Sequence, residues 1–128
     1  MFLRDVFAEA KRILKPTGIA IHFVDLSDHF SHQDRSISSI NFLKFSDSEW
    51  NRLAGNEFAY CNRLRVSDYL NLFSDCNFQV LRKETALDVE ALDSLHNGFV
   101  LHDKLQHYEP EDICTTSVNI MLQVSYDE

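Results

Sequence analysis

Residues 7–24, Phe7-Ala8-Glu9-Ala10-Lys11-Arg12-Ile13-Leu14-Lys15-Pro16-Thr17-Gly18-Ile19-Ala20-Ile21-His22-Phe23-Val24, change hydrophobic period at Pro16-Thr17-Gly18. Before that point Leu3, Val6, Phe7, Ala10, Ile13 and Leu14 recur every three or four residues. Arg4, Asp5, Glu9, Lys11, Arg12 and Lys15 take the other face, which predicts an amphipathic helix. Lys15 suits the negative end of a helix dipole, and the Pro16-Thr17-Gly18 run stops the helix. After it, 19–24 is almost continuously apolar with several β-branched or aromatic side chains. That composition predicts a buried strand, covered on both faces and parallel to its neighbours.

Outward from this pair, residues 25–35, DLSDHFSHQDR, are too polar to continue the strand and predict a loop at its carboxyl end. In open α/β sheets that end holds the ligand crevice. Ser46-x-x-Glu49 has the form of a capping box and predicts a short helix from 47 to about 54. Ser67 or Asp68 can cap a further helix carrying Tyr69, Leu70, Leu72 and Phe73, which closes at Asp75-Cys76-Asn77. Phe78 to Leu81 predicts a second strand. Residues 88–107 have a weaker helical pattern, with Asp88 as a cap and Asn97-Gly98 dividing it. Val118, Ile120, Leu122 and Val124 alternate with Asn119, Met121, Gln123 and Ser125, which predicts a third, half-buried strand.

Composition narrows the class. With 128 residues and 45% hydrophobic content the chain can bury one sizeable core and forms one domain, 1–128. Twelve Lys+Arg against twenty Asp+Glu leave a formal charge of −8, which repels nucleic-acid phosphates and anionic lipid. The apolar stretch 18–26 is far below the ~20 residues of a membrane span, and charged residues soon after Met1 argue against a secretory signal. Cys61, Cys76 and Cys114 include no CxxC pair, so reduced thiols in a cytoplasmic protein are expected.

The passage Phe7-x-x-x-x-Arg12-Ile13-Leu14-Lys15-Pro16-Thr17-Gly18 followed by a strand resembles the helix-to-strand passage of class I S-adenosylmethionine-dependent methyltransferases, with Thr17 in place of the usual first glycine. The resemblance implies that 19–24 stands for the fifth strand of that family's seven-stranded Rossmann-like sheet. The strand at 78–83 then stands for the sixth, and the closing strand for the antiparallel seventh. The fold it implies is α/β, a small mixed three-stranded sheet with its last strand antiparallel and helices flanking it. The family binds S-adenosyl-L-methionine upstream of this passage, with a glycine-rich turn and an acid that meets the ribose. Glycines isolated at 18, 55 and 98 cannot build that turn. The chain is therefore expected to begin where the fourth strand has ended and not to bind the cofactor alone. It reads as a transferase fragment, a truncated gene product or a split subunit, incomplete as an enzyme.

Asp25, Asp28, His29, His32 and Asp34 form the most polar cluster and can serve acid–base chemistry. No regular metal-ligand spacing such as HExxH accompanies them. In the methyltransferase reading this loop faces the methyl acceptor, which implies Asp28 and His29 as catalytic residues and Asp25 and His32 as acceptor-binding residues. The plain alternative is a solvated loop with a helix cap. Arg63 and Arg65, alternate in an extended segment, suit a clamp on an anionic acceptor, and ion pairs inside an acidic protein compete with that reading. Phe42, Phe45, Trp50, Phe58 and Tyr60 suit a core, a lid over a small-molecule acceptor, or an apolar face for a partner. His22 reads as a hydrogen-bonded core histidine. A second kind of function is open as well: a strand that lacks its fourth-strand neighbour presents a bare edge, which predicts a homodimer or a complex with the missing amino-terminal half. The chain would then be a non-catalytic interaction module.

Overall fold

A computed structural model of the chain describes residues 2–55 and 62–126. Helix α1, Phe2–Ile13, is followed by strand β1, Ile19–Asp25. The turn between them is closed by the Gly18 amide donating to the Lys15 carbonyl at 2.8 Å. A Cβ on Gly18 would stand 3.0 Å from that carbonyl oxygen, so the close approach of the chain favours glycine there. Helices α2, Asp47–Ala54, and α3, Val66–Asp75, lead to β2, Phe78–Leu87. Helices α4, Val89–His96, and α5, Pro110–Cys114, precede β3, Thr115–Val124.

The three strands form one sheet in the order β1-β3-β2, and β3 is antiparallel to both neighbours. Every hydrogen-bonded pair is thus antiparallel, which replaces the expected mixed pairing. β1 and β2 run in the same direction with β3 between them. On one face, Val118, Ile120, Leu122 and Val124 of β3 pack under α1 and α3 in a core that includes Phe7, Tyr69, Leu72 and Phe73. Phe7 meets Phe73 edge-on at 4.9 Å between ring centroids, and His22 from β1 lies between them, 5.2 Å from Phe7 and 6.2 Å from Phe73. The expected hydrogen bond of His22 is not made, because its buried Nε2 has no partner among the described residues.

The expectation that β1 is covered on both faces is overturned. Ala20, His22 and Val24 face the helices, whereas Ile21 and Phe23 on the opposite face are 57% and 78% exposed. Polarity grades across this bare face. Ile21 of β1 pairs with Met121 of β3, and Met121 pairs in turn with Arg82 of β2, which forms an ion pair with Glu84.

Three further differences have local causes. α3 starts at Val66, ahead of the expected caps: Asp68 reaches back to accept from the Arg65 amide at 2.8 Å, and Ser67 is drawn to Asp112. Its end does fall at Cys76-Asn77, where Asn77 takes a φ of 59°, a left-handed conformation that asparagine tolerates. β2 runs on to Leu87 with a bulge between Val80 and Arg82. In the region expected as 88–107, α4 closes at His96 and a single 3-10 turn occupies Asp103–Leu105, while α5 was not expected at all.

A second cluster gathers Ile40, Phe42, Leu43, Trp50, Leu101, Ile113 and Cys114 beyond the carboxyl ends of β1 and β2. α2 carries the expected capping box, with Ser46 Oγ accepting from the Glu49 amide and Glu49 accepting from the Ser46 amide. Phe42, Phe45 and Trp50 are packing residues, whereas Phe58, Tyr60 and Cys61 lie outside the described residues. Cys76 and Cys114 are buried free thiols, and burial together with Asp88 pushes Cys114 up to about 11. Among the described residues no helix is long and apolar enough to cross a membrane.

Burial also pulls the His22 imidazole below its ordinary value of 6.5. Between the lowered folded value and 6.5 the unfolded chain binds a proton that the folded chain refuses. The stability contributed by a neutral His22 is therefore complete above 6.5 and lost as pH falls through the folded value. Urea midpoints measured against pH for the parent and His22→Phe will show the parent losing stability relative to the variant below pH 6.5. Parallel curves would contradict it.

Candidate functional site

The segment after β1 is organised by carboxylates that accept from amides two residues on, the hydrogen bond of an Asx turn. Asp25 Oδ1 accepts from the Ser27 amide at 2.9 Å and from Ser27 Oγ at 2.6 Å. Asp28 Oδ1 accepts from the Phe30 amide at 2.9 Å, and Asp34 Oδ1 accepts from the Ser36 amide at 2.9 Å. Asp28 thereby starts a 3-10 turn, His29–His32, and Phe30 rests edge-on against Trp50 at 6.4 Å. Ser39 Oγ donates to Asp88 Oδ2 at 2.6 Å and ties the far end of the loop to the cap of α4.

The loop borders two adjoining hollows that share Ser31 and Ser39. One, of about 520 Å³, is lined by Phe23, Asp25, Ser27, His32, Ser117 and Asn119 among others. The other, of about 610 Å³, includes Arg35, Ser36, Ser38, Asp88 and Glu90 in its walls. Together they make a hydroxyl-rich groove from the bare sheet face to the start of α4.

Asp25, Ser27 and His32 meet in this groove, and His29 stands against Asp25 outside its lining. Asp25 Oδ2 lies 3.5 Å from His29 Nε2 and 3.4 Å from His32 Nε2. Burial raises the Asp25 carboxyl, but Ser27 and the neighbouring His29 and His32 outweigh it and hold the group below the usual aspartate value. Ser27 has one hydroxyl proton, and it goes to Asp25. The contact of 2.8 Å between Ser27 Oγ and His32 Nε2 then requires the imidazole to donate. In neutral His32 the basic atom is consequently Nδ1. The arrangement can orient a hydroxyl or amine and accept its proton.

The other expected site residues sit elsewhere. Asp28 is 1% exposed; Oδ1 caps the turn and Oδ2 is buried, so it presents no surface to an acceptor. The expected clamp is replaced by two internal staples. Arg65, also 1% exposed, donates to the carbonyls of Leu26 at 2.7 Å, Ile113 at 3.2 Å and Arg63 at 3.3 Å, and lies 5.4 Å from the Phe42 ring centroid. Arg63 donates to the carbonyls of Phe42 and Phe45 at 3.1 Å and 2.6 Å, and pairs with Asp47. Both side chains turn to one side, as alternate positions predict, but that side is the interior. Ser27, Ser31 and Ser39 carry no motif and were missed as site residues. The spacing Asp25-x-Ser27, repeated as Asp34-x-Ser36, was the available signal. Among the described residues no group of three or more His, Cys, Asp or Glu side chains is placed to hold a metal ion.

Comparison with protein families, curated proteins and solved structures finds no match.

Arg65→Lys shortens the fork that reaches three carbonyls and will destabilise the fold by on the order of 3 kcal/mol, the scale of buried hydrogen bonds to a charged group. Arg82→Lys, in an exposed ion pair, will change it by less than about 1 kcal/mol. Chemical denaturation of both variants distinguishes staple from surface pair, and equal small effects would refute the staple.

Proposed function

We propose that this chain is the acceptor-side, carboxy-terminal part of a class I S-adenosylmethionine-dependent methyltransferase sheet, acting on a small hydroxyl- or amine-bearing molecule once the cofactor-binding part is supplied. The observation that carries the reading is β1: among the described residues it ends the sheet with one edge unpaired, and its outward face is a bare column of Ile19, Ile21 and Phe23. Such a strand is suited to a further neighbour and a cover.

Strand direction supports the same reading. The resemblance calls for two strands in one direction and a last strand opposed to them, which matches β1, β2 and β3. Helices α1 and α3 pack on the same face. Crossovers between parallel strands in one sheet are right-handed in ~98% of cases. If the β1-to-β2 crossover through α3 and a crossover into β1 through α1 share that hand on one face, they advance across the sheet in the same sense. A strand preceding α1 therefore belongs beside β1 on the side away from β3 and β2, which is the free edge.

The described residues do not fit the cofactor. Gly18, Gly55 and Gly98 follow helices, and none follows the carboxyl end of a strand, where a phosphate- or nucleoside-binding turn is built. This chain's own share of the chemistry is to hold the acceptor in the groove and move its proton to a histidine oriented by Asp25 and Ser27. A second reading rests on the same bare column: an assembly module in which the β1 edge of one copy pairs with another.

Calorimetric titration of S-adenosylhomocysteine into this chain alone will give no binding heat. The chain extended through the coding sequence upstream of Met1 will bind it. Tight binding by the chain alone would refute the absence of a cofactor site from it, and no binding by a folded extended protein would refute the methyltransferase reading. In the second reading, light scattering reports a dimer of this chain whatever the outcome with cofactor.

A further inference from the structure

We propose that Asn97-Gly98 is a site of spontaneous deamidation whose conversion loosens the last turn of α4, one wall of the candidate groove. Asn97 is the C-cap of α4 and is exposed. Gly98 is exposed and adopts a φ of 108°, and a Cβ built on it would meet nothing within 4 Å, so this side of the glycine is open. The Phe99 amide donates back to the Ser94 carbonyl at 2.9 Å, closing the helix end around the glycine. The Gly98 amide itself makes no hydrogen bond among the described residues. It is the atom that must act as nucleophile.

The chemistry balances without a cofactor. Solvent base removes the Gly98 amide proton, and the nitrogen attacks Asn97 Cγ to form a five-membered succinimide. The Cγ–Nδ2 bond breaks, and Nδ2 leaves as ammonia after taking up a proton. Water then adds at either ring carbonyl and opens it to aspartate or isoaspartate. Glycine at the second position removes the side chain that otherwise crowds ring closure. Every other asparagine precedes a larger residue: Asn41 and Asn77 precede phenylalanine, Asn51 and Asn62 arginine, Asn56 glutamate, Asn71 leucine and Asn119 isoleucine.

Conversion has a structural consequence. Asn97 Nδ2 donates to the Asp93 carbonyl at 2.8 Å, and this bond is lost when the amide becomes an acid. The new carboxylate stands at the carboxyl end of α4, where the helix dipole already disfavours negative charge. Asp93 and Ser94 belong to the groove wall, so the last turn of α4 links this chemistry to the site.

Peptide mapping of the whole chain after incubation at mildly alkaline pH tests the assignment. The peptide holding residue 97 will gain the mass of an amide-to-acid conversion and include isoaspartate, while the peptides of Asn41, Asn71 and Asn119 stay unchanged. Asn97→Gln, which would need a larger ring, will suppress the change. An intact Asn97 after a free peptide of residues 93–101 has fully converted would overturn the proposal. Hydrogen exchange tests the consequence: aged protein and Asn97→Asp will both show faster amide exchange in the last turn of α4, with α3 unchanged. Unaltered exchange in fully converted protein would overturn the link to the groove.

Discussion

The buried Arg65 guanidinium joins the two halves of this fold. It donates to Leu26, which follows β1 and belongs to the core beneath α1 and α3, and to Ile113, which precedes β3 and belongs to the second cluster. Burial pulls its proton affinity down, and Asp112, Tyr108 and Asp68 oppose that pull. Tyr108 and the Arg65 amide both donate to Asp68, so the countercharge is itself anchored. With these carbonyls fixed, the chain leaves β1 in one direction, and the turns at Asp25, Asp28 and Asp34 fold the site loop from a held starting point. The groove therefore depends on a staple outside it.

The sheet has the opposite character at its other side. The β3 face under α1 and α3 is sealed by Val118, Ile120, Leu122 and Val124, while Phe23 on the reverse of β1 is 78% exposed. Across this face the side chains run from Ile21 through Met121 to Arg82, so its apolar part lies on β1 and its charged part on β2. An apolar face that grades into charge across the sheet fits an interface over one part of it, with the β2 side facing water.

Much of the fold was legible because its signals are local. The period change at Pro16-Thr17-Gly18 marks α1 and β1, and the alternation in 118–124 marks β3. What was not legible depended on long-range contacts. The apolar run Ile19 to Val24 reads as buried on both faces, yet only one face finds a partner among the described residues. α5 is too short for a periodic pattern, and Pro110 with Glu111 and Asp112 in its first turn were its marks. At the site, the Asp25, His29 and His32 grouping was visible as composition. Its geometry hangs on Ser27, and the inward course of Arg63 and Arg65 is set by carbonyls from 18 to 48 residues away.

Amide hydrogen exchange along β1 tests the central claim, that its free edge is the seat of a further strand. In this chain alone, the β1 amides that point away from β3 should exchange far faster than those bonded to it. In the chain extended upstream of Met1, those same outer amides should become protected. Outer amides that stay fast in a folded extended protein would contradict the account, as would outer amides already protected in a monomer of this chain.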